Sequence, residues 1–303
     1  MSKVPIGPEE LIERLENAPT KAVLSKALLW IAENLEDDLV EDVCEAAILS
    51  NAHFNWCTWA ENLFRTQPKS ALSIGQVVMR HQSIDKVATL AEICSQLVLE
   101  EKKLNEDDRI LLACDLMNAN KQAMLMPFAE KWLAKNHGAK LEPIVLRALL
   151  IIDPSEAHLA AATSWYWKNS SDWYSNLVLA SLIEIDMNDK LIDETLRKIE
   201  TAADTDYEVL LLIAPLIRIA PKSVEWLKRW LAQNACHLLA GEILCDCFRE
   251  KPELFVDSVI LWLTDNDKNS DAVCEELVAW IEENETSTSI VEKLLPYLSN
   301  FKF

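Results

Sequence analysis

The sequence predicts an all-α protein, and three observations support this fold class. Apolar residues recur at helical spacing in segments of about twelve to sixteen residues, and no stretch shows a sustained alternation of apolar and polar residues. Only four glycines occur among the 303 residues, whereas folds rich in β-sheet use more glycine in their turns. The chain is therefore expected to be a series of amphipathic helices joined by short polar turns.

The predicted helices follow one another along the whole chain. Their ranges are close to 8–16, 21–34, 36–51, 53–65, 69–81, 83–99, 106–120, 124–136, 144–152, 157–167, 172–185, 189–200, 206–219, 222–234, 237–249, 253–263, 270–283 and 287–298. Acidic residues at 36–38 and 106–108 are expected to open helices, because the helix dipole stabilises a carboxylate there. Proline is expected in first turns, where its missing N–H is no loss. Four prolines occupy such positions: Pro143, Pro154, Pro221 and Pro252.

Two further signals concern the backbone at helix ends and bends. The run Asn136, His137 and Gly138 follows a helical segment and predicts a left-handed C-terminal cap, because glycine and asparagine tolerate that conformation. Pro215 lies inside the predicted helix 206–219, and proline in a helix interior removes a hydrogen bond and clashes with the preceding turn. A kink is therefore predicted at Pro215.

A Trp-x-x-x-Asn tag recurs along the chain at nearly regular intervals. Five occurrences, in register with one another, begin at Trp30, Trp132, Trp165, Trp230 and Trp262, and a sixth, at Trp280, falls half a period out of register. The successive separations are 102, 33, 65 and 32 residues, close to three, one, two and one periods of about 33. Two helices per unit at such a period are typical of an α-solenoid. The sequence predicts an α-solenoid of about eight to nine two-helix repeats with a period near 33 residues.

The residues of the tag have ordinary roles in helical packing. A tryptophan near the end of a helix is expected to fill the groove between stacked units. The asparagine is expected to stop the helix by adopting the left-handed backbone conformation. The alternative interpretation is that the tryptophans form a row that binds a ligand.

The same pattern predicts the domain organisation. Residues 1–19 are expected to form an N-terminal capping helix, and residues 20–303 a single helical-repeat array. The alternating helices and the prolines at turns resemble HEAT-type and armadillo-type arrays, whereas the residue patterns of tetratricopeptide and ankyrin repeats are absent. The resemblance implies a curved surface that binds another macromolecule.

The composition is strongly acidic, with 29 Lys and Arg against 49 Asp and Glu, a net charge of −20. Such a charge repels a phosphate backbone, so nucleic acid is not expected as a partner. A large net charge keeps a protein soluble. The alternative is an acidic surface that meets a basic partner or imitates nucleic acid.

Eight cysteines lie within apolar helical patterns, and the first twenty residues lack the pattern of a secretory signal. Free, buried thiols in a reducing compartment are therefore expected, which predicts a cytoplasmic protein. The longest apolar run, residues 209–217, is too short to cross a bilayer. No association with a membrane is predicted.

The sequence offers few candidates for an enzyme. Glycine-rich phosphate-binding loops are absent. Asp37, Asp38 and Glu41 resemble the magnesium-binding run of helical terpenoid synthases, which need a second such site. The acidic triplet 106–108 lacks the downstream carboxylate that this second site requires. Both triplets are instead interpreted as helix starts.

Cysteine and histidine spacing also gives no metal centre. His53 and Cys57 are four residues apart on a predicted helix and therefore on one face, but no further ligand is close in sequence. Cys245 and Cys247 are two apart, so a helix directs them to different sides. The sequence predicts no catalytic residue, no cofactor and no metal.

One aromatic cluster is the candidate binding site. Trp165 holds the position of the tag tryptophan, so either Tyr166 or Trp167 is expected to leave the core of its own unit. Trp173 and Tyr174 follow within a few residues. Exposed aromatic residues often dominate the energy of an interface. Tyr166, Trp167, Trp173 and Tyr174 are therefore the predicted partner-binding residues, and packing on the next unit is the alternative.

Three functions are compatible with these observations. The first is a non-catalytic scaffold or adaptor whose curved helical surface binds another protein. The second is an acidic inhibitor, immunity protein or nucleic-acid mimic that blocks a basic surface. The third is a helical-repeat enzyme that acts on nucleic acid, since the Trp-rich helices resemble those of repeat-fold alkylpurine glycosylases. The missing motifs and the charge favour the scaffold.

Overall fold

The computed structural model describes residues 7–51, 53–67, 71–82, 84–100, 105–120, 122–186, 188–264, 271–283 and 288–298. Over these residues the protein is all-helical, with eighteen α-helices and no β-strand. The predicted fold class, all-α, is confirmed. The helices divide into two compact units, residues 1–153 and 154–303.

The described part of the first unit contains nine α-helices. They are Pro8–Asn17 (α1), Lys21–Glu33 (α2), Val40–Ser50 (α3), Trp56–Thr66 (α4), Leu72–His81 (α5), Ile84–Leu99 (α6), Glu106–Asn120 (α7), Met126–Lys135 (α8) and Glu142–Ile152 (α9). Helices α1, α3, α5, α7 and α9 pack against one another in that order, and the even-numbered helices pack on them. Gly75 of α5 lies directly against the ring of Phe64, and a Cβ atom at Gly75 would overlap that ring.

The described part of the second unit also contains nine α-helices. They are Glu156–Lys168 (α10), Ser175–Ile185 (α11), Asp189–Thr201 (α12), Ile213–Ile219 (α13), Pro221–Gln233 (α14), Ala240–Glu250 (α15), Pro252–Thr264 (α16), Asp271–Glu283 (α17) and Thr288–Leu298 (α18). Helices α11, α13, α15 and α17 pack in series, and α10, α12, α14 and α16 each contact the element next to them. Apolar stripes facing these neighbours form the core.

Several predicted helix starts need correction. The triplet 106–108 does open α7, but residues 36–38 lie in the turn before α3, where Asp37 Oδ1 accepts a hydrogen bond from the Leu39 amide at 2.9 Å. Pro154 precedes α10, whose N-terminal cap is Ser155. The other three prolines, Pro143, Pro221 and Pro252, do lie in first turns.

Pro215 does not lie in the interior of one long helix, as the sequence predicted. A 3-10 helix, Tyr207–Leu212, precedes α13, and Pro215 is the third residue of α13. In this first turn the N–H that proline lacks would have had no partner within the α-helix, so Pro215 costs α13 no internal hydrogen bond, and the kink stays a prediction. Gly138, by contrast, adopts the predicted left-handed conformation with φ of 79°.

The asparagine of the tag ends its helix by a different mechanism from the one predicted. In four described tags its side-chain Nδ2 donates a hydrogen bond of 2.7–2.9 Å to the carbonyl of the tag tryptophan, four residues earlier. Its φ lies between −113° and −130°, outside the left-handed region. In three of the tags the same carbonyl also accepts the backbone N–H of the asparagine, at 2.8–3.0 Å, so the side chain adds a second hydrogen bond to the last turn of the helix. The asparagines of the fifth tag and of Trp280 lie outside the described residues.

This mechanism gives a testable prediction at Asn234. Replacing Asn234 by glycine is expected to destabilise the protein by about 1 kcal/mol, because the bond to the Trp230 carbonyl is lost. Asn234→Asp should cost at least as much, since a carboxylate cannot donate and is unfavourable at a helix C-terminus. Chemical denaturation measures both. A stability that glycine leaves unchanged or increases would instead support a left-handed cap.

Candidate functional site

The same turn joins one helix to the next at five places in the described residues. In each, the carbonyl of the first residue accepts the amide of the fourth, and the carbonyl of the fourth accepts the amide of the seventh, at 2.9–3.2 Å. The first residues of these turns are Asn34, Asn136, Asn169, Ala203 and Asn234. The first two turns lie in the first unit and the last three in the second. Equivalent positions of the turns can therefore be compared directly.

The fifth position of the turn carries an exposed apolar side chain in the second unit. Trp173 is 71% exposed, Tyr207 is 53% exposed and Leu238 is 66% exposed. In the first unit the equivalent residues are Asp38 and Lys140, both charged. We call Trp173, Tyr207 and Leu238 the apolar row. Because exposed apolar side chains recur at equivalent positions of these turns, the apolar row is the candidate interaction surface of the second unit.

Direct hydrogen bonds join the second and third turns of the second unit. His237 Nε2 lies 3.1 Å from the Ala202 carbonyl and 3.3 Å from Asp204 Oδ1, and the Leu238 amide donates to the same Asp204 oxygen at 3.3 Å. The Leu239 amide donates to His237 Nδ1 at 3.2 Å. Because a carbonyl accepts and an amide donates, these contacts match an imidazole that donates from Nε2 and accepts at Nδ1. These bonds fix Leu238 relative to the turn that carries Tyr207.

A lysine of α12 connects this helix, which precedes the turn carrying Tyr207, to the turn carrying Trp173. Lys198, in the last turn of α12, donates from Nζ to the Ser170 carbonyl at 2.8 Å and to Ser175 Oγ at 3.0 Å. Burial lowers the pKa of the Lys198 ammonium. All three turns are thus parts of one connected edge of the second unit, and the apolar row lies along it.

The edge is acidic as well as apolar. Its turns contribute Asp172, Asp204, Asp206 and Glu208, and residues 169–175, 201–209 and 234–240 contain no Lys or Arg. Asp172 Oδ1 accepts the Tyr174 amide at 2.9 Å, as Asp204 accepts that of Leu238. The bond of Asp172 lies within its own turn, that of Asp204 joins two turns, and both side chains are exposed. The acidic side chains beside the apolar row attract positively charged groups of a partner.

Of the four aromatic residues that the sequence predicted to bind a partner, Tyr166 is not exposed, so its assignment needs correction. It is fully buried, and its hydroxyl donates to Glu194 Oε1 of α12 at 2.9 Å. Burial, followed by this hydrogen bond, raises the pKa of the Tyr166 hydroxyl. Trp165, expected in the core, is only partly buried. The ring of Tyr166 is therefore not available to a partner, and packing against the following helix explains its position.

The other three residues differ in exposure. Trp167 is 36% exposed, its ring meets that of Tyr166 edge to face at 5.1 Å, and Lys190 Nζ lies 4.1 Å from its ring centroid. This cation–π contact covers part of the face of Trp167. Tyr174 is partly buried immediately before α11. Trp173 is the most exposed of the four and belongs to the apolar row.

The thiols of the protein are chemically inert where they are buried. All eight cysteines are free, and seven are buried. Burial raises the pKa of Cys44, Cys94, Cys114 and Cys245 to about 12, which leaves almost no thiolate at neutral pH. Cys236 is exposed, contrary to the expectation that every cysteine is buried, because it lies in the turn after Asn234.

Other candidates for chemistry are not assembled by the fold. His53 lies before α4 begins at Trp56, so His53 and Cys57 do not share a helix as predicted. Within the described ranges, no three His, Cys, Asp or Glu side chains are grouped so that they could hold a metal ion. No helix in this part of the chain has the length and apolar character needed to cross a membrane.

No protein-family model, curated protein or solved structure matches the chain.

Two members of the apolar row, Tyr207 and Leu238, were not predicted from the sequence. The available signal was an apolar residue at the fifth position of each turn. It was hidden because the middle turn begins with Ala203 rather than asparagine, which breaks the Trp-x-x-x-Asn tag.

Proposed function

We propose that the protein is a non-catalytic scaffold or adaptor that binds another protein through the apolar row of its second unit. The exposure of Trp173, Tyr207 and Leu238 at equivalent positions of three connected turns carries this proposal. Aromatic residues are enriched among the anchors of protein interfaces because they bury a large area with few rotatable bonds.

The acidic side chains beside the apolar row define the chemistry of the partner. A complementary surface presents apolar side chains surrounded by Lys and Arg, because like charges opposite one another oppose association. A phosphate backbone would meet the same acidic residues, which disfavours the alternative of an enzyme acting on nucleic acid. The partner is therefore a protein with a basic, partly apolar surface.

The finer architecture is part of the same proposal. We infer that the helix pairs are repeats of a HEAT-like or armadillo-like α-solenoid, because odd-numbered helices pack in series within each unit and one turn geometry recurs. Eight free cysteines support a reducing, cytoplasmic location. The capping role of residues 1–19 and the single array over 20–303 stay predictions.

The partner can be identified by comparing two forms of the chain. Immobilised wild-type protein is expected to retain from lysate a basic protein that the variant Trp173→Ala, Tyr207→Ala does not retain. The matched control is Leu29→Ala, Leu49→Ala, which removes two similarly exposed apolar side chains in the first unit. If the two variants retain the same proteins as the wild type, the apolar row is not the binding surface.

Neutralising the acidic residues beside the apolar row distinguishes a scaffold from an acidic inhibitor. For a scaffold, Asp206→Asn with Glu208→Gln is expected to weaken the complex by less than about ten-fold, mainly through a slower association rate. Binding kinetics at low and high salt measure this. The control neutralises two exposed carboxylates of α16, Glu253→Gln and Asp257→Asn. Loss of all binding, with a steep salt dependence, would favour the inhibitor that blocks a basic surface.

A further inference from the structure

The apolar row is widened by residues at the start of the helical segments that follow its turns. Leu177 and Leu211 each lie four residues after a member of the row, and Leu211 is 45% exposed while Leu177 is partly buried. Glu242 holds the same position after the third turn and is exposed. The accessible apolar surface is therefore more than one residue wide along two of the three turns, so it suits an occupant with a broad apolar face.

The ten residues that begin with each of the three turns hold five carboxylates and no Lys or Arg. The five are Asp172, Asp204, Asp206, Glu208 and Glu242. Within the described residues none of them forms an ion pair with Lys or Arg, and Asp204 contacts His237 at 3.3 Å. Lys168 and Lys198 lie next to the first turn, and two positive charges against five carboxylates leave the surface acidic. A segment that binds here is therefore expected to be basic beside its apolar face.

The spacing of the apolar row follows from the helices after its turns. Helix α11, the 3-10 helix Tyr207–Leu212 with α13, and α15 pack in series, and packed helices lie about 8–10 Å apart. Because the row members hold the same position of their turns, neighbouring members are about that far apart as well. An α-helix presents nearly the same face every seven residues, after about 10.5 Å. One helix along the edge can therefore place an apolar side chain on each member of the row.

Other peptide conformations fit this surface less well. In an extended strand, side chains on one face are about 6.6 Å apart, which does not match the row. The described part of the protein has no strand to whose edge a peptide could add. A polyproline helix repeats after about 9.3 Å and matches the spacing. It is narrow, however, and typically binds between aromatic rings, whereas Leu238, Leu177 and Leu211 make much of this surface aliphatic and broad.

We propose that the apolar row binds a basic amphipathic α-helix of the partner, with one apolar residue on each of Trp173, Tyr207 and Leu238 and Lys or Arg beside the five carboxylates. This inference rests on the proposed function, because it gives the conformation of the segment that the scaffold recognises. Three anchors seven residues apart need a helix of about fifteen residues or more. Their face drifts by only about 20° per seven residues, so one apolar stripe contacts all three turns.

The experiment measures the binding of four labelled peptides to the full chain by fluorescence anisotropy. The first peptide has leucines at three anchor positions seven residues apart, with alanine beside them and lysine on the rest of the helix. The second has the same composition in an order that gives no apolar face. The third has glutamate for each lysine, and the fourth is proline-rich with the same number of lysines. The first peptide is expected to bind at least about ten-fold more tightly than each of the others.

Variants of the protein locate the bound peptide. Trp173→Ala with Tyr207→Ala is expected to weaken binding of the first peptide by at least about ten-fold. The matched control, Leu29→Ala with Leu49→Ala in the first unit, should change it by less than about two-fold. Circular dichroism of the mixture should show a gain in helix when the first peptide binds the wild type. Melting temperatures confirm that both variants are folded.

A double-mutant cycle tests whether the helix lies along the row. Replacing the central leucine anchor by alanine and Tyr207 by alanine removes the same contact from both sides. The combined loss of affinity should therefore be smaller than the product of the two single losses by about three-fold or more. A leucine anchor at the end of the peptide should combine with Tyr207→Ala independently, within about two-fold. The absence of coupling for every anchor would contradict the proposed register.

The other outcomes separate a failure of this inference from a failure of the proposed function. Equal binding of the second peptide, or tighter binding of the proline-rich peptide, would overturn the helix. If that binding is still lost in Trp173→Ala with Tyr207→Ala, the apolar row remains an interface and the proposed function stands. Equal binding of the acidic peptide would overturn the charge match. Binding of the first peptide that is absent, or unchanged in the double variant, would also overturn the inference, and the comparison of proteins retained from lysate tests the proposed function separately.

Discussion

Replacing Tyr166 by alanine is expected to lower the free energy of unfolding by about 3–5 kcal/mol. The ring is fully buried and lies edge to face against Trp167 at 5.1 Å, while its hydroxyl donates to Glu194 at 2.9 Å. Truncation leaves a cavity between α10 and its neighbours and removes the hydrogen bond. Urea denaturation followed by circular dichroism measures the loss.

Two control variants separate the contributions at this position. Tyr166→Phe keeps the ring and is expected to cost about 1 kcal/mol, since Glu194 still accepts two hydrogen bonds from Arg197 at 2.6 and 2.8 Å. Trp173→Ala, close in sequence but exposed, should change stability by less than about 0.5 kcal/mol. A cost below about 1 kcal/mol for Tyr166→Ala would return Tyr166 to the list of surface residues.

Removing two members of the apolar row is expected to weaken the partner complex by about 100-fold or more. Trp173 and Tyr207 each supply a large exposed ring at the same position of its turn. Interface aromatics typically contribute about 2 kcal/mol each, so the double variant Trp173→Ala, Tyr207→Ala combines two such losses. Calorimetric titration of the partner measures the affinity.

The stability of the double variant distinguishes a surface role from a structural one. Because both rings are mostly in solvent, the melting temperature should stay within a few degrees of that of the wild type. The single variant Trp167→Ala is expected to weaken binding less, since Lys190 and Tyr166 already cover part of that ring. If the double variant binds the partner normally, the apolar row is not the interface. If it unfolds, the two rings contribute to the core and not to a binding surface.

Local sequence signals predicted much of the secondary structure. Helical spacing of apolar residues located the helices, since an amphipathic stripe is needed wherever a helix packs on a neighbour. The Trp-x-x-x-Asn tag marked four helix ends because its side-chain bond spans only four residues. Pro215 was misjudged because the α-helix begins later than its apolar pattern suggests.

The candidate site was predicted only in part, for a physical reason. Helical spacing shows that adjacent aromatic residues point in different directions, but it does not show which direction meets another helix. Glu194, Lys190 and Lys198 of α12 decide that question at Tyr166 and Trp167, from more than twenty residues away. Trp173 was identified because it lies beside this cluster, whereas Tyr207 and Leu238 were missed because their turns lie 34 and 65 residues further along.

The sequence by itself determined that the chain is helical, where most helices begin and end, and that the net charge is −20. Only the tertiary structure decided that Tyr166 is buried and that Trp173, Tyr207 and Leu238 share one edge. Spacing along a helix specifies the face on which a side chain lies. The contacts that bury or expose that face come from other helices, so they exist only once the chain has packed.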